Sequence, residues 1–174
     1  ATLGLLRGQS GLALLGLLFA PVIGYFKNRK VRALLHGSAL RVSEKQLPEL
    51  HGCVTEFAGR LGLKHLPAVY VVEHHSANAF ATRIGRKDVV LLTDDIVWGA
   101  LASKNPRALG FVVGHELAHV ALGHTRTFRS IMRAVVKPLA RLDELSADNV
   151  ARALVDDDVA SFEGLKILAV GPQL

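Results

Sequence analysis

A five-residue pattern, His115-Glu116-x-x-His119, constrains this chain more than any other feature of its sequence. Residues four apart on an α-helix are stacked neighbours, so both imidazoles would project from one face. The flanking residues are all apolar or small and uncharged: Val112, Val113, Leu117, Ala118, Val120 and Ala121. This composition predicts a helix that is buried on nearly all sides.

Two histidines and a glutamate in a buried helix need polar partners, because an unpaired polar group in a low dielectric costs on the order of a few kcal/mol. A zinc ion would satisfy them, since Zn²⁺ accepts two neutral imidazoles and a third protein ligand and keeps a fourth position for water. Glu116 would then lie where it can take a proton from that water. The pattern therefore predicts a hydrolytic zinc site that cleaves amides. Histidines satisfied within the core, or exposed on a helix surface, are the simpler alternatives.

A second helical pattern, over residues 139–154, supplies candidates for the third ligand. Glu144 and Asp148 are four apart and share a face with two alanines, which predicts that they meet a buried partner rather than water. We expect Glu144 to bind the metal and Asp148 to accept a hydrogen bond from a ligating imidazole, which would fix the tautomer of that ring. Asp143, in contrast, is expected on a solvated acidic face.

His124 is the alternative third ligand. A third histidine binds the metal in the longer pattern H-E-x-x-H-x-x-G-x-x-H, which needs a glycine at position 122 and a histidine at position 125. Leu122 and Thr125 occupy those positions. The glutamate is therefore the better candidate.

Charge is unevenly distributed along the chain. Residues 1–43 hold six Lys or Arg and no acidic residue, and they account for the whole formal charge of +6, because residues 44–174 are balanced. Aromatic side chains that could stack on bases are few, with two Tyr and one Trp. We therefore expect no nucleic-acid partner.

The N-terminal segment offers another explanation for the basic excess. Residues 8–26 carry no charge, and as a helix they would span about 28 Å, close to the roughly 30 Å hydrocarbon core of a bilayer. A basic cluster follows at once: Lys27, Arg29, Lys30 and Arg32. By the positive-inside rule the chain after it would be cytoplasmic. We predict a membrane anchor over residues 1–35, with a cleaved signal peptide or a buried soluble helix as alternatives.

Residues 36–174 are predicted to form one α+β domain. Strands are expected at residues 68–72, 78–82 and 89–92, and the last two should form an antiparallel hairpin. A short helix should follow to residue 102, and Asn105-Pro106 should start the helix with the two histidines. This order, with the sheet first and helices after it, predicts a small antiparallel sheet packed on helices.

One further helix is predicted before the first strand. Ser43 and Gln46 have the spacing of a capping box, Pro48 comes early, and apolar residues then recur at three- and four-residue spacing. Cys53, the single cysteine, falls in this pattern and is most simply a core residue. A lone cysteine also fits a reducing compartment.

Three motifs make the chain similar to a known family: His115-Glu-x-x-His119, Glu144-x-x-x-Asp148, and Ser76-Ala-Asn-Ala-Phe-Ala81 ahead of a strand. Residues 36–170 resemble the family of membrane-associated zinc metallopeptidases that contains the HtpX heat-shock protease and the CAAX prenyl endopeptidases. The resemblance implies a zincin-like fold with zinc bound by His115, His119 and Glu144. Glu116 would be the general base and Asp148 would orient a ligand.

The resemblance also implies where substrate binds. Asn78 and the edge strand around Ala79 and Phe80 would hold an extended polypeptide by β-addition, because an edge strand offers unpaired N–H and C=O groups to a peptide.

Residues 125–143 depart from the family pattern. Relatives of the HtpX type carry membrane spans in this interval, whereas this chain has a basic amphipathic pattern that should break near Pro138. We expect this segment to lie against anionic lipid, to line the cleft, or to form a solvated helix face.

A second departure concerns the group that stabilises the oxyanion. Relatives carry a later His or Arg for this purpose, but after Asp148 this chain has no His and no Arg other than Arg152. Three expectations follow: the group is absent, His74, His75 or Arg152 substitutes for it, or the native protein continues after residue 174.

These patterns together predict a zinc-dependent metalloendopeptidase that cleaves extended polypeptide at a membrane surface, with lipid as a second partner. The alternative is a membrane-anchored, non-catalytic binding module with a zinc site, or a truncated or latent peptidase. A purely structural zinc site would be closed by a fourth protein ligand and would not need Glu116.

Overall fold

The structure is a computed structural model that describes residues 29, 31–33, 35, 37, 39–74, 78–102 and 105–170. The predicted membrane segment, residues 8–26, lies outside these residues, so the anchor stays a prediction. Among the residues that the structure describes, no helix combines the length and the apolar character needed to cross a bilayer.

The described chain is an α+β domain in which a small sheet precedes most of the helices. In chain order the elements are β1 (Ala39–Arg41), α1 (Pro48–Arg60), β2 (Ala68–Val72), β3 (Ala79–Ile84), β4 (Lys87–Thr93), α2 (Asp94–Ala102), α3 (Pro106–Ala121), α4 (Thr127–Val135), α5 (Lys137–Val155) and α6 (Asp158–Val170). The predicted class and the predicted order of elements are confirmed.

The sheet is mixed, which corrects the prediction of an antiparallel one. Its strand order is β1-β2-β4-β3, with β2 and β4 parallel and the other two pairs antiparallel. The predicted β3–β4 hairpin is present, with Ile84 opposite Lys87 at its turn. Strand β4 lies in the middle because its apolar run is buried on both faces, as is typical of a strand with parallel pairing. Val90 and Leu92 belong to one apolar cluster and Leu91 to another.

The first helix starts later than its capping-box pattern predicted. Ser43 and Gln46 bond to each other in a tight turn, with the backbone N–H of Gln46 3.2 Å from Oγ of Ser43. Helix α1 begins at Pro48, and no side chain caps it. Proline suits this first position because the N–H that it lacks would have no partner within the helix. Cys53 is partly buried against the main apolar cluster.

Helix α3 lies at the centre of the domain. Its N-terminus is capped as predicted, since Oδ1 of Asn105 accepts a hydrogen bond from the backbone N–H of Arg107 at 3.2 Å. Residues 111–119 are all buried, which confirms the prediction of a helix covered on nearly all sides. The helix packs against β3, α1, α2, α5 and α6.

Small residues bring α3 and α5 close together. A Cβ at Gly114 would lie 3.4 Å from the Cα of Ala151, and Ala147 and Ala151 are both fully buried. This close approach places residues 144 and 148 of α5 beside the histidines of α3. The packing of the two helices therefore builds the site described next.

Candidate metal centre

The two histidines of α3 direct the same nitrogen toward each other. Residues 115 and 119 are one turn apart, and Nε2 of His115 lies 3.1 Å from Nε2 of His119. Both rings are buried, as is Glu116 between them in the sequence. The helix thus presents two imidazole nitrogens at one point on its surface.

Glu144 of α5 brings a carboxylate to the same point. Its Oε2 lies 3.3 Å from Nε2 of His115 and 3.6 Å from Nε2 of His119. The side chain of Glu144 is 47% exposed, so this face of the site is open to solvent. Among the described residues, His115, His119 and Glu144 form a group whose ligand atoms lie close enough to hold one metal ion.

The far nitrogens of the two imidazoles are also engaged. Nδ1 of His115 lies 2.8 Å from Oδ1 of Asp148, one turn beyond Glu144 on α5. Nδ1 of His119 lies 2.9 Å from Nδ1 of His124. Each ring is therefore held on its outer side while its Nε2 faces the candidate metal position.

The two candidate third ligands, Glu144 and His124, lie in different places relative to His115 and His119. Through Nδ1, His124 contacts the outer nitrogen of His119, and it is not part of the group that could hold a metal. The structure therefore brings Glu144, and not His124, together with the two histidines of α3.

Burial and neighbouring charges shift the pKa values of His115, Glu144 and Glu116. Burial lowers the pKa of His115, but the hydrogen bond with Glu144 and the charges of the nearby carboxylates outweigh burial and raise the pKa above its ordinary value. The hydrogen bonds with His115 and His119 hold the pKa of Glu144 well below its usual range. Burial raises the pKa of Glu116, against the opposing charges of the two histidines and a backbone hydrogen bond from Ala81.

Asp143 corrects a prediction, because it does not lie on a solvated face. Its side chain is 1% exposed, and Oδ2 accepts a hydrogen bond from Nε of Arg129 at 3.2 Å. Its Oδ1 lies 3.3 Å from Nε2 of His124. The hydrogen bond from Arg129 is the main reason that the pKa of Asp143 is lowered, and burial lowers the pKa of His124. The arginines spaced four residues apart on α4, Arg129 and Arg133, were the sequence signal that an acidic residue would be paired there.

Arg133 of α4 also lies in the candidate site, although the sequence argument did not single it out. Its guanidinium pairs with Oε1 of Glu144, and its Nε lies 3.5 Å from Oδ2 of Asp143. The predicted break in this basic segment falls at Val136, between α4 and α5. The basic segment contributes Arg133 to the cleft. Part of it therefore lines the cleft, which was one of the three positions expected for it.

Two of the expected substitutes for an oxyanion group, Arg152 and His74, are described by the structure, and neither lines this cleft. Arg152 bonds Asp158 through Nε at 2.8 Å, on the outer end of α5. His74 is an exposed residue after β2, and its backbone N–H donates to Asp94. His75 lies outside the described residues. Arg133 is the arginine that lines the cleft.

A cleft of about 760 Å³ opens over the three-residue group. One wall is strand β3, the edge strand of the described sheet, and the other walls come from α3 to α6. Asn78, Ala79 and Phe80 all line it, as the sequence argument expected of a substrate-binding segment. An edge strand offers unpaired backbone groups to which an extended peptide can add as a further strand.

The fold and the three candidate ligands define a class of protein. It is an α+β domain in which a His-Glu-x-x-His helix and a glutamate from a second helix form one candidate metal group. Comparison with known proteins agrees with that class. A family model described as peptidase family M48 matches residues 44–138. This match covers more than half of the chain, and the chain belongs to peptidase family M48.

Several similar curated proteins share the name protease HtpX homolog. The protease HtpX homolog of Ralstonia nicotianae is 35% identical over 120 residues, which is 67% of this chain and 40% of that protein. The homolog of Thermodesulfovibrio yellowstonii is 34% identical over 119 residues, with the same two shares. The homolog of Bifidobacterium longum is 39% identical over 89 residues, 51% of this chain and 28% of the relative. The chain thus spans less than half the length of these relatives.

Proposed function

We propose that this chain is a zinc-dependent metalloendopeptidase that hydrolyses peptide bonds of extended polypeptides. His115, His119 and Glu144 would hold the zinc ion, and Glu116 would act as general base. The observation that carries this proposal is the convergence of three ligand atoms, each from a buried or half-buried side chain, beneath an edge strand. Membership of peptidase family M48 supports the reaction class.

The spacing of the three ligand atoms suits zinc. Tetrahedral Zn²⁺ at about 2.0–2.1 Å from each ligand places the ligands roughly 3.3 Å apart. The three separations in this site are 3.1, 3.3 and 3.6 Å. Imidazole nitrogens with one carboxylate are also a donor set that zinc commonly has in hydrolases, where a fourth position stays open.

Glu116 would carry the proton in this mechanism. A bound zinc ion supplies Lewis acidity, which acidifies water and polarises a carbonyl. Glu116 takes the proton from the attacking water as the new C–O bond forms, and it delivers that proton to the amine nitrogen as the C–N bond breaks. Glu116 and Ala81 both line the same cleft. The proposed base therefore lies in the cleft beside the strand that would hold the substrate.

The register of the hairpin indicates which residues of β3 would hold a peptide. The backbone N–H of Thr93 donates to the carbonyl of Asn78 at 2.9 Å, so alternate residues from Asn78 onward, including Phe80, direct their backbone groups toward β4. Ala79 and Ala81 direct theirs to the free edge. The groups left for an extended substrate are therefore the backbone N–H and C=O groups of Ala79 and Ala81. Asn78 and Phe80 would contribute through their side chains.

Action at a membrane surface, on the cytoplasmic side, is the remaining part of the proposal. It is supported by the uncharged run over residues 8–26 and the basic cluster that follows it. Fractionation of cells that express the chain, with alkaline carbonate extraction, tests it. Release of the chain into the carbonate supernatant would contradict a membrane anchor.

One paired assay tests the peptidase proposal. The wild type and Glu116→Gln should bind about one zinc per chain, because the substitution leaves all three ligands in place. Cleavage of unfolded casein should fall at least about 100-fold in the variant, the usual contribution of general acid–base catalysis. Wild-type protein that binds zinc but cleaves no better than Glu116→Gln would point to the non-catalytic or latent alternative. Folded protein without zinc would overturn the proposal.

A further inference from the structure

Helix α4 directs its basic face toward the protein. A surface helix usually packs its apolar face against the core and leaves its charged face in water. Arg129 and Arg133, one turn apart on α4, instead reach the neighbouring helix α5. Nε of Arg129 lies 3.2 Å from Oδ2 of Asp143, whose side chain is 1% exposed, and the guanidinium of Arg133 pairs with Glu144. These ion pairs join α4 to α5 through its basic face.

The apolar face of α4 is left at the surface. Phe128, Ile131 and Met132 are three and four residues apart, so they share one face of the helix. Phe128 is 71% exposed, and Ile131 and Met132 are half-buried. A single exposed phenylalanine would need no explanation. In α4, however, the usual orientation of the helix is reversed, because its arginines face the protein and its largest apolar side chain faces outward.

Unpaired positive charge lies on both sides of α4 in the chain. Residues 117–142 contain no Asp or Glu. Arg126 precedes α4, and Lys137 and Arg141 lie on the first two turns of α5. All three are exposed, and none has a carboxylate partner among the residues that the structure describes. Leu142, beside them on α5, is 62% exposed. The surface around α4 therefore combines apolar side chains with free cations.

We propose that the apolar face of α4, which comprises Phe128, Ile131 and Met132, docks on an anionic lipid surface. Apolar side chains of such a helix enter the boundary between headgroups and acyl chains, and nearby Lys and Arg are attracted to anionic headgroups. A second copy of this chain fits the surface less well, because two copies would bring like charges together.

The inference deepens the proposed action at a membrane surface, on which it rests. Ser130, Arg133 and Ala134 of α4 line the cleft over the candidate metal group, so α4 has the cleft on one side and the docking face on another. A helix with its side chains is about 10 Å across. Docking would therefore hold the cleft about one helix diameter from the lipid, where it can meet polypeptide segments that emerge from a membrane.

Tryptophan fluorescence tests this contact locally. The chain has one tryptophan, Trp98, which is 67% exposed on α2. The double variant Trp98→Phe/Phe128→Trp moves this probe to α4, and the wild type is the matched control. Both proteins are reconstituted into vesicles with brominated acyl chains, made of phosphatidylcholine with or without phosphatidylglycerol. We expect the tryptophan at position 128 to be quenched more strongly than Trp98, and most strongly in the anionic vesicles.

Charge variants separate docking from simple proximity to the bilayer. Lys137→Gln with Arg141→Gln, added to the α4 probe, should remove most of the quenching, because each basic residue near an anionic surface favours binding by about fivefold. The matched control makes the same change in charge at Lys45 and Lys64, two exposed residues on either side of α1. This control should leave the quenching at position 128 unchanged.

Three results would overturn the proposal. The first is quenching at position 128 that is no stronger than quenching at Trp98. The second is quenching that the Lys137 and Arg141 substitutions reduce no more than the control pair does. The third is a shift of the position-128 emission to shorter wavelength that needs no vesicles and grows with protein concentration, which would make a second copy of the chain the occupant.

The proposed function and the docking of α4 fail in different ways. A chain that resists carbonate extraction but shows no added quenching at position 128 would keep its anchor and lose the docking face. Release by carbonate, together with charge-dependent quenching at position 128, would remove the anchor and leave α4 as a reversible contact with lipid. Zinc binding and casein cleavage are measured without lipid, so they report on the peptidase proposal alone.

Discussion

Oδ1 of Asp148 lies 2.8 Å from Nδ1 of His115, so a carboxylate of α5 holds the outer nitrogen of a ring on α3. Glu144, one helical turn earlier on α5, faces the inner nitrogen of the same ring. One helix thus supplies both a candidate ligand and the support for another ligand. The relative position of α3 and α5 therefore sets the geometry of the whole candidate site.

Asp148→Asn should weaken zinc binding without removing it. The amide keeps the size of the side chain but loses the charge that favours a proton on Nδ1 of His115. We expect an affinity loss of about 10- to 100-fold, measured by chelator competition. Asp158→Asn is the matched control, because that carboxylate pairs with Arg152 at the exposed end of α5. Equal affinities for the two variants would show that Asp148 does not support the ligand.

Glu144→Ala should lower zinc affinity more than Asp148→Asn does, because it deletes one of the three proposed ligands. We expect a loss in zinc affinity beyond the roughly 10- to 100-fold typical of an outer hydrogen-bond partner. Zinc content after dialysis, measured by mass spectrometry, checks this. Glu56→Ala serves as the control, since that exposed carboxylate lies on α1 beside Arg60. Full zinc occupancy in Glu144→Ala would exclude this residue as a ligand.

Cys53 should react slowly with alkylating reagents in the folded protein. Burial, with a smaller contribution from the charge of Glu56, raises the pKa of the Cys53 thiol to about 11. The ordinary pKa value for a thiol is 9.0, so at pH 8 the thiolate fraction should be lower by roughly 100-fold. Iodoacetamide labelling followed by mass spectrometry measures the rate, and the same protein in urea is the control. Equal rates in both conditions would contradict the prediction.

The same shift in pKa has a consequence for stability. The folded state disfavours the Cys53 thiolate, so the unfolded state releases this proton first as pH rises. The contribution of Cys53 is therefore fully present below its ordinary value of 9.0 and is lost by about pH 11. Urea titrations at pH 8 and pH 10.5 on the wild type and Cys53→Ala check this, because the difference between the two proteins should change in that interval.

Gly164→Ala should destabilise the fold despite the better helix propensity of alanine. A Cβ at this position of α6 would lie 2.6 Å from Cβ of Phe111 on the central helix. Overpacking of this kind costs about 1–3 kcal/mol, which exceeds the gain of up to about 1 kcal/mol from replacing a helical glycine. Urea unfolding monitored by circular dichroism measures the difference.

Gly52→Ala is the matched control for that prediction. It is also a glycine inside a helix, in α1, but a Cβ there would meet nothing within 4 Å. This variant should therefore be neutral or stabilised by up to about 1 kcal/mol. Destabilisation of both variants to the same extent would show that close packing on Phe111 is not the cause.

Much of the fold could be predicted because its signals are local. The Asn105-Pro106 start of α3 and the hairpin of β3 with β4 depend on residues near each other in the chain. The predicted capping box at Ser43 was wrong, because Ser43 and Gln46 instead form a tight turn through backbone hydrogen bonds. The parallel pairing of β2 with β4 joins segments separated by β3, and no local pattern encodes it.

The candidate site also has parts that local sequence patterns predicted and parts that they did not. Four-residue spacing placed His115 and His119 on one face of α3, and it placed Glu144 and Asp148 on one face of α5. Spacing also indicated that α3 is buried, since its flanking residues are apolar. Each of these properties is a periodicity within one helix, which the order of residues determines on its own.

Only the tertiary structure decided how the two helices meet. The crossing of α3 with α5 turns Glu144 toward the inner nitrogens, buries Asp143 against Arg129, and brings His124 between Asp143 and His119. These contacts depend on the summed packing of many residues distant in sequence, such as Gly114 against Ala151. The sequence pattern of a single helix does not show whether one of its carboxylates is buried by another helix or faces water.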